Sequence, residues 1–578
     1  MCGILGIKSS CLPDKKLFKK SLDLMIHRGP DSGDIYETSS SMFGHRRLKI
    51  IDLSETANQP MTSKDNLYTI IFNGEIYNYQ IIAKELKSLG YDFKTNGDTE
   101  VLLNGFHAWG ENLLEKINGM FSFAILNNKT GKIFIARDRM GIKPLYYYIN
   151  NDTFIFASEI NSIVSLLNEK LSIDYTSIVD FFTYLYVPET KTIYNDIKKL
   201  LPGHCATFYN NKLVISEYWN VNHQHNNKLS LDDAIEKLDF LINDSVKMRL
   251  VSDVPVGSFL SGGIDSSLIS YYASKNHENI KTFYADFGNE YTNDIEIAKN
   301  LKTNHFRKSV KDSNISSFNL MKTYGDLHYD TSTLPFYHIA DVASKEVTVC
   351  LSGDGGDELF YGYNWYNSYA KSSKYNFIKS IYSFIDPRQI LINKQFQRGF
   401  KYKKYFISND LERYVYLRGG YTKSYLNKVL PESIKNKIPK DYDHYWLYRK
   451  YWDLKNANLK SRLQYIDMKN FMVNDILLKV DMMSMLHSLE VRVPFLDHRI
   501  VELTHSLDEN FINNKRDKFL LKKIFKQKFP KNLLEKKKIG FGMKNLNFSN
   551  DNSLKIFNST GDSDYKLKNM KYLVESYI

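Results

Sequence analysis

Cys2 is the first residue whose position suggests chemistry, because removal of the initiator methionine, which a small second residue permits, would leave a thiol and a free α-amino group on one residue. The amine titrates near about 7.7–8.0 and the thiol near about 8.5, so proton transfer between them is cheap and the residue is a nucleophile carrying its own base at neutral pH. A different chemistry is written mid-chain. The strand-like run Val256 to Leu260 leads into Ser261-Gly262-Gly263-Ile264-Asp265-Ser266-Ser267 and then a helix. Backbone N–H groups at such a strand-to-helix turn form a cradle for anions. No lysine follows the second glycine, so this is not the loop of ordinary γ-phosphate transfer. Leu351-Ser352-Gly353-Asp354-Gly355-Gly356-Asp357-Glu358, again at a predicted strand end, offers hard carboxylates of the type that hold magnesium on phosphate oxygens.

Four more segments surround Cys2-Gly3-Ile4 in the first 145 residues: His27-Arg28-Gly29-Pro30-Asp31, His45 through Asp52, Asn73-Gly74-Glu75-Ile76-Tyr77-Asn78 and Arg137-Asp138-Arg139-Met140-Gly141. Together they resemble the class II glutamine amidotransferases. The resemblance implies that Cys2 attacks the glutamine side-chain amide and that Asn73 and the Gly74 N–H stabilise the oxyanion, one such donor being worth roughly 3 kcal/mol. It further implies that Arg47 binds the substrate carboxylate, for which a bidentate fork is suited, while Glu75 and Asp98 bind its ammonium. The central loop resembles the pyrophosphate loop of the N-type ATP pyrophosphatases, which cut ATP between its α- and β-phosphates to adenylate an acceptor. By that resemblance ATP meets Leu260, Ser261, Gly262, Gly263, Asp265, Ser266, Ser267 and Gly353, with Leu260 flanking the adenine. Asp265 and Asp357 would hold Mg2+, and Lys518, in Lys515-Arg516-Asp517-Lys518-Phe519-Leu520, would neutralise the departing phosphates.

Leu477-Leu478-Lys479-Val480-Asp481 and Leu489 through Asp497 complete a set that resembles, in order, the glutamine-hydrolysing asparagine synthetase family. That likeness implies a glutaminase and a MgATP-dependent synthetase joined by an internal ammonia tunnel, with glutamine, ATP and aspartate as substrates. Asp286, Asp326, Tyr361 and Trp365 depart from the residues usual in the family. An acceptor other than aspartate, such as a sugar (uronic) acid of a surface polysaccharide, therefore stays open. Arg492 reads as a structural ion-pair residue in preference to a substrate contact.

These residues need elements to position them. Strand-like runs at Gly3 to Ile7, Tyr68 to Phe72, Phe121 to Ile125, Lys132 to Ala136 and Phe154 to Ala157, with helical spacing from Asp14 to Ile26 and after Asp98, predict an α+β domain. The resemblance makes it an αββα sandwich of the Ntn-hydrolase type. The polar stretch from Asn222 to Asn227 separates a glutaminase domain, 2–217, from a synthetase domain, 230–578. In the second domain, Val256 to Leu260, Thr282 to Ala285 and Val347 to Leu351 alternate with helical stretches, the pattern of an α/β parallel sheet. After Gly362 the pattern is almost entirely helical, including the run from Leu477 through Asp497.

Composition fits this picture. The chain has 578 residues, 43% hydrophobic and 25% charged, as expected of a globular protein of two to four domains. Its apolar runs are too short to span a membrane, and the N-terminus lacks the basic flank of a signal peptide. A cytoplasmic address is expected. The four cysteines show no metal or disulfide spacing. Of the formal charge of +13, +9 lies between Phe511 and Phe541. Such a run reads as a solvated helix face, and the intact glutaminase set argues against a nucleic-acid partner. A homodimer stays open.

Overall fold

The computed structural model describes residues 2–221, 227–286, 293–310, 315–373, 409–454, 457–508, 511, 517–534 and 565–578. The N-terminal half contributes twelve strands in chain order: β1 (Gly3–Lys8), β2 (Ser32–Glu37), β3 (Ser41–Arg47), β4 (Met61–Thr62), β5 (Tyr68–Ile76), β6 (Gly119–Asn127), β7 (Ile133–Arg137), β8 (Tyr146–Asn150), β9 (Thr153–Ala157), β10 (Ile197–Lys199), β11 (His204–Tyr209) and β12 (Lys212–Glu217). They form two six-stranded sheets, β10-β8-β9-β1-β3-β2 and β12-β11-β7-β6-β5-β4, whose pairings are antiparallel.

Side-chain alternation along the strands explains why the sheets stack between helices. Ile4 and Phe43 meet Ile71, Ala124 and Ile135 between the sheets. Leu5 and Ile7, one position out of phase, face the helices Lys15–Asp23 and Ile160–Leu167 through Phe18, Leu22 and Ile163. On the outer side of the second sheet, Phe72 and Phe123 pack with Ile82, Leu86 and Leu102 of the helices Tyr79–Ser88 and Asp98–Trp109. The result is the αββα sandwich expected, with Cys2 just before a central strand.

Ser230 caps the helix Leu231–Arg249, its Oγ accepting the Asp233 N–H at 3.2 Å. Beyond it, β13 (Val256–Phe259), β14 (Lys281–Asp286), β15 (Asn304–Ser309), β16 (Val349–Leu351) and β17 (Glu490–Arg492) form a sheet in the order β15-β14-β13-β16-β17. All its pairings are parallel. The order reverses between β13 and β16, and the candidate anion cradle and the candidate magnesium carboxylates follow the carboxyl ends of these two strands, where open α/β sheets bind ligands.

β17 corrects the expectation of continuous helix from Leu477 to Asp497. The helix Leu478–Met485 ends, Ser488 adopts φ 52°, and Glu490–Arg492 joins the sheet beside β16. Glu490 and Arg492 are both fully buried and bond each other at 2.6 Å, which agrees with the ion-pair reading of Arg492. Pro494 also disfavours helical geometry just before it.

Buried charges join the two halves. Arg28 bonds Glu159 at 3.1 Å and reaches Asp481 of the helix Leu478–Met485 at 2.7 Å, and Lys143 meets the same Asp481 at 3.2 Å. Asp497 accepts from Asn118 and Arg249, each at 3.1 Å. Burial alone would raise the Asp481 carboxyl, but Arg28 and Lys143 overrule it and hold it below the usual range. Replacing Asp481 by alanine strands two buried cations, a change that typically costs about 3–5 kcal/mol. The Asp481→Ala protein should therefore show a clearly lowered thermal midpoint, and an unchanged midpoint in calorimetry would contradict this role.

Candidate active sites

One small cavity gathers Cys2, Arg47, Gly74, Glu75 and Asp98. β1 delivers Cys2, β3 ends at Arg47, β5 carries Asn73 to Glu75, and Asp98 opens the helix Asp98–Trp109. The Cys2 nitrogen donates to Asn73 Oδ1 at 3.1 Å, and the Cys2 carbonyl accepts from Arg28 Nε at 3.0 Å. Burial pushes the Cys2 thiol up, opposed by the Leu48 N–H and the Arg47 charge. Asn73 is fully buried and its Nδ2 reaches Ser158 Oγ at 3.4 Å, a weak contact. Gly74 pairs with Phe121, and a Cβ there would lie 2.1 Å from the Met120 carbonyl oxygen, so only glycine fits.

The cation and the two acids of this cavity have different surroundings. Arg47 is braced by the Ser54 carbonyl at 2.8 Å and Asn58 Oδ1 at 2.7 Å, which fixes its fork. Burial, reinforced by Glu490 and Asp98, raises Glu75 well above the usual carboxylate range, while Arg492 at 3.5 Å pulls the other way. Burial likewise raises Asp98 to about 6, with Glu490 adding to it and the Ile76 N–H at 2.9 Å opposing it. Two carboxyls in one apolar recess can accept an ammonium that would restore their charge. His45, in contrast, is buried against the Phe72 carbonyl at 3.0 Å and kept neutral by burial, a structural part.

The second site follows β13. Gly263 caps the helix Ile264–Asn276, leaving the first-turn N–H groups at the loop. Gly262 has φ 77°, and a Cβ there would lie 2.6 Å from the Asp294 nitrogen. Ser266 Oγ accepts from the Ser261 N–H at 3.2 Å, and Ser267 Oγ donates to the Gly263 carbonyl at 2.6 Å, so both hydroxyls brace the loop. Leu260, expected to flank the adenine, is fully buried in the core, and its N–H donates to the Phe283 carbonyl at 2.9 Å. A Cβ on Gly353 would lie 2.8 Å from the Ser266 nitrogen, which packs the Asp354 loop against the Ser261 loop.

Lys518 ties these loops together. Its ammonium contacts Asp265 and sits 2.7 Å from Asp357, and the two carboxylates hold it well above the usual lysine range despite burial. Both acids thus converge on one cation position, and their hard oxygen chemistry fits Mg2+ completed by water and phosphate oxygens. No cluster of three metal-binding side chains occurs among the described residues. Lys515 and Arg516, with residues 535–541 of the basic run, lie outside the described residues. Beside the site, burial raises Glu358 to about 7, with Asp357 adding to the effect and Tyr363 bonding it at 2.5 Å.

The four departures from the family pattern all have protein partners. Asp286 pairs with Arg307 at 2.7 Å and Asp326 with Lys199 at 3.5 Å. Tyr361 meets Ser461 at 3.0 Å, and Trp365 donates to Asp467 at 2.8 Å. Arg492 donates to the Arg249 and Val251 carbonyls at 2.8 and 2.7 Å besides its acids, the structural role expected. Leu48, Arg28, Ser158 and Glu490 were not singled out from the sequence, although Arg28 and Glu490 stand inside segments that were.

Comparisons with known proteins cover the same two halves. A family model described as a glutamine amidotransferase domain matches residues 1–219, and one described as asparagine synthase matches residues 237–578. The chain is 34% identical to "Asparagine synthetase [glutamine-hydrolyzing] 1" of Bacillus subtilis, across 94% of this chain and 87% of that protein. It is 31% identical to "Asparagine synthetase [glutamine-hydrolyzing] 3" of the same organism, across 93% and 86%. It is 34% identical to "Putative asparagine synthetase [glutamine-hydrolyzing] 2" of Methanocaldococcus jannaschii, across 67% and 79%.

The raised Asp98 carboxyl yields a prediction for any ammonium-bearing ligand of the first site. Binding needs the ionised form, so affinity should hold above pH 6 and weaken below it, by roughly tenfold per pH unit for a one-proton linkage. The KM for glutamine hydrolysis measured from pH 5 to 8 checks this. A KM that is flat across pH 6 would contradict the reading, and Asp98→Asn should abolish the dependence.

Proposed function

Because this chain belongs to the glutamine-hydrolysing asparagine synthetase family and is an ATP-dependent carbon–nitrogen ligase, we propose a two-site reaction in which residues 2–217 release ammonia from glutamine and residues 230–578 use it to amidate aspartate. The observation that carries the reading is the gathering of Cys2, Arg47, Gly74, Glu75 and Asp98 around one cavity. Arg47 binds the α-carboxylate of glutamine, and Glu75 with Asp98 binds its ammonium. The freed α-amino group of Cys2 takes the thiol proton, and the thiolate attacks the amide carbon. Asn73 Nδ2 and the Gly74 N–H hold the oxyanion, the protonated amine delivers its proton to departing ammonia, and water then cleaves the thioester to give glutamate.

At the second site the N–H groups around Ser261 to Ser267 and Gly353 bind the ATP phosphates. The aspartate β-carboxylate attacks the α-phosphate, pyrophosphate leaves, and the carboxyl becomes an acyl-adenylate that ammonia can attack with AMP as leaving group. Asp265 and Asp357 are the residues that would hold Mg2+, which would supply charge neutralisation on the pyrophosphate. Lys518, already shared by these two acids, supplies the protein's own cation there. Asp286, Asp326, Tyr361 and Trp365 are each engaged within the protein, and no contact favours a uronic acid over aspartate as acceptor.

Two variants separate the half-reactions. Cys2→Ala should lose glutamine hydrolysis and keep asparagine formation from ammonium salts. Glutaminase activity retained in Cys2→Ala would overturn the nucleophile, and a retained initiator methionine, visible by mass, should silence the same activity. Asp357→Asn should lose aspartate-dependent ATP–pyrophosphate exchange while hydrolysing glutamine normally. Parent-like exchange in Asp357→Asn would refute its role at the phosphates.

A further inference from the structure

Neither active site uses the cavity of about 230 Å3 enclosed between the Arg137–Gly141 turn and the helical segment Asp467–Leu477. It lies where the N-terminal sandwich meets the C-terminal helices, and none of its lining residues belongs to the cavity at Cys2 or to the Ser261 loop. Met140, Met468 and Val473 give it apolar wall. The volume suits a small metabolite and falls below the ~300–1,000 Å3 of drug-sized pockets.

Its polar groups are incompletely satisfied. Arg139 lines the cavity at only 9% exposure; its two terminal nitrogens are bound by the Ile117 and Leu114 carbonyls, but its Nε has no hydrogen-bond partner among the described residues. Lys469 donates to Asn220 Oδ1 at 2.5 Å and has no carboxylate within ion-pair distance among the described residues. Desolvation brings its ammonium down to about 8, opposed by the Glu217 charge and helped by that of Lys450. A partly buried cation in that state is stabilised by an incoming anion. Glu189 cannot serve, because Lys450 at 2.8 Å and the Tyr451 hydroxyl at 2.7 Å already hold it. Glu217 differs: its carboxylate is 45% exposed and, among the described residues, meets within 4 Å only one basic group, the His204 ring, at 3.9 Å.

The open groups are therefore two N–H donors on cationic side chains, one carboxylate and an apolar wall. A phosphate dianion would meet Glu217 with repulsion and leave the methionines unused. We propose that this cavity binds a small α-amino acid, with its carboxylate on Lys469 and the Arg139 Nε–H, its ammonium toward Glu217 and its side chain among Met140, Met468 and Val473. The site stands apart from the catalytic reading, so either can fail alone.

Titration calorimetry tests the proposal on the full chain carrying Arg47→Ala, which removes the carboxylate clamp of the glutaminase cavity; the acceptor site of the synthetase half remains, so binding is ascribed to this cavity only where Lys469→Met weakens it. Aspartate, asparagine, glutamine and glutamate are titrated separately, each beside its deaminated analogue, which distinguishes substrate from product as the occupant. At least one amino acid should bind in the millimolar range or tighter. Adding Lys469→Met, which keeps the apolar stem, should weaken it at least about tenfold, the scale of a charge-assisted hydrogen bond. Adding Glu217→Gln should weaken the amino acid but not its deaminated analogue, and matched thermal midpoints exclude misfolding as the cause. Binding of none of the four, or equal affinity with and without Lys469→Met, would overturn the proposal.

Discussion

A guanidinium with none of its surface in water must be met by acceptors on every side, and at Arg28 those acceptors come from separate parts of the chain. Its Nε serves the Cys2 carbonyl, while its terminal nitrogens serve Glu159 of the N-terminal half and Asp481 of the C-terminal half. Lys143 shares Asp481, and His27 approaches Glu159 at 2.9 Å, so the charges nearly cancel inside one buried cluster. Desolvating these ions is repaid only when all partners are in place. The backbone of the candidate nucleophile is thus positioned by a helix of the other domain. Lys479, two residues before Asp481 on that helix, pairs with Asp330 at 2.7 Å. One helix therefore ties the glutamine cavity to the interior of the synthetase half.

A second link runs through β17. Arg492 joins Glu490 of the parallel sheet to Glu75 of the glutamine cavity, and the Glu490 charge is among the causes that raise both Glu75 and Asp98. The protonation of Glu75 and Asp98 accordingly depends on groups that the other domain supplies. A glutaminase half expressed alone would lose Asp481, Glu490 and Arg492 together. The electrostatics make the interface part of the first site.

Much of this was legible in the sequence where chemistry constrains residue type and spacing. Gly74 and Gly262 had to be glycine for contacts that any side chain would violate, and the carboxylates and Lys518 stand in short motifs that betray them. The αββα sandwich followed from alternating apolar strands. β17 did not, because the segment reads as the continuation of a helix, and only the mutual bond of Glu490 and Arg492 and the Glu75 contact place it in the core. Asp481 reads as one polar residue on an amphipathic helix, since its partners Arg28 and Lys143 lie more than three hundred residues away. Arg139 and Lys469 were equally opaque: a basic side chain announces burial only when the opposite wall of its cavity is known.

The proposed function requires that ammonia released at Cys2 reach the adenylated acceptor of the same chain before it mixes with solvent, the internal passage that the family resemblance implies. The direct measurement is competition of nitrogen isotopes: amide-15N glutamine, ATP and aspartate are supplied with a large excess of unlabelled ammonium, and the 15N content of the asparagine amide is read by mass spectrometry. The account predicts asparagine labelled close to the enrichment of the glutamine amide, largely indifferent to added ammonium. Label diluted in proportion to the bulk pool would show that ammonia escapes before it is used, and would contradict a coupled pair of sites.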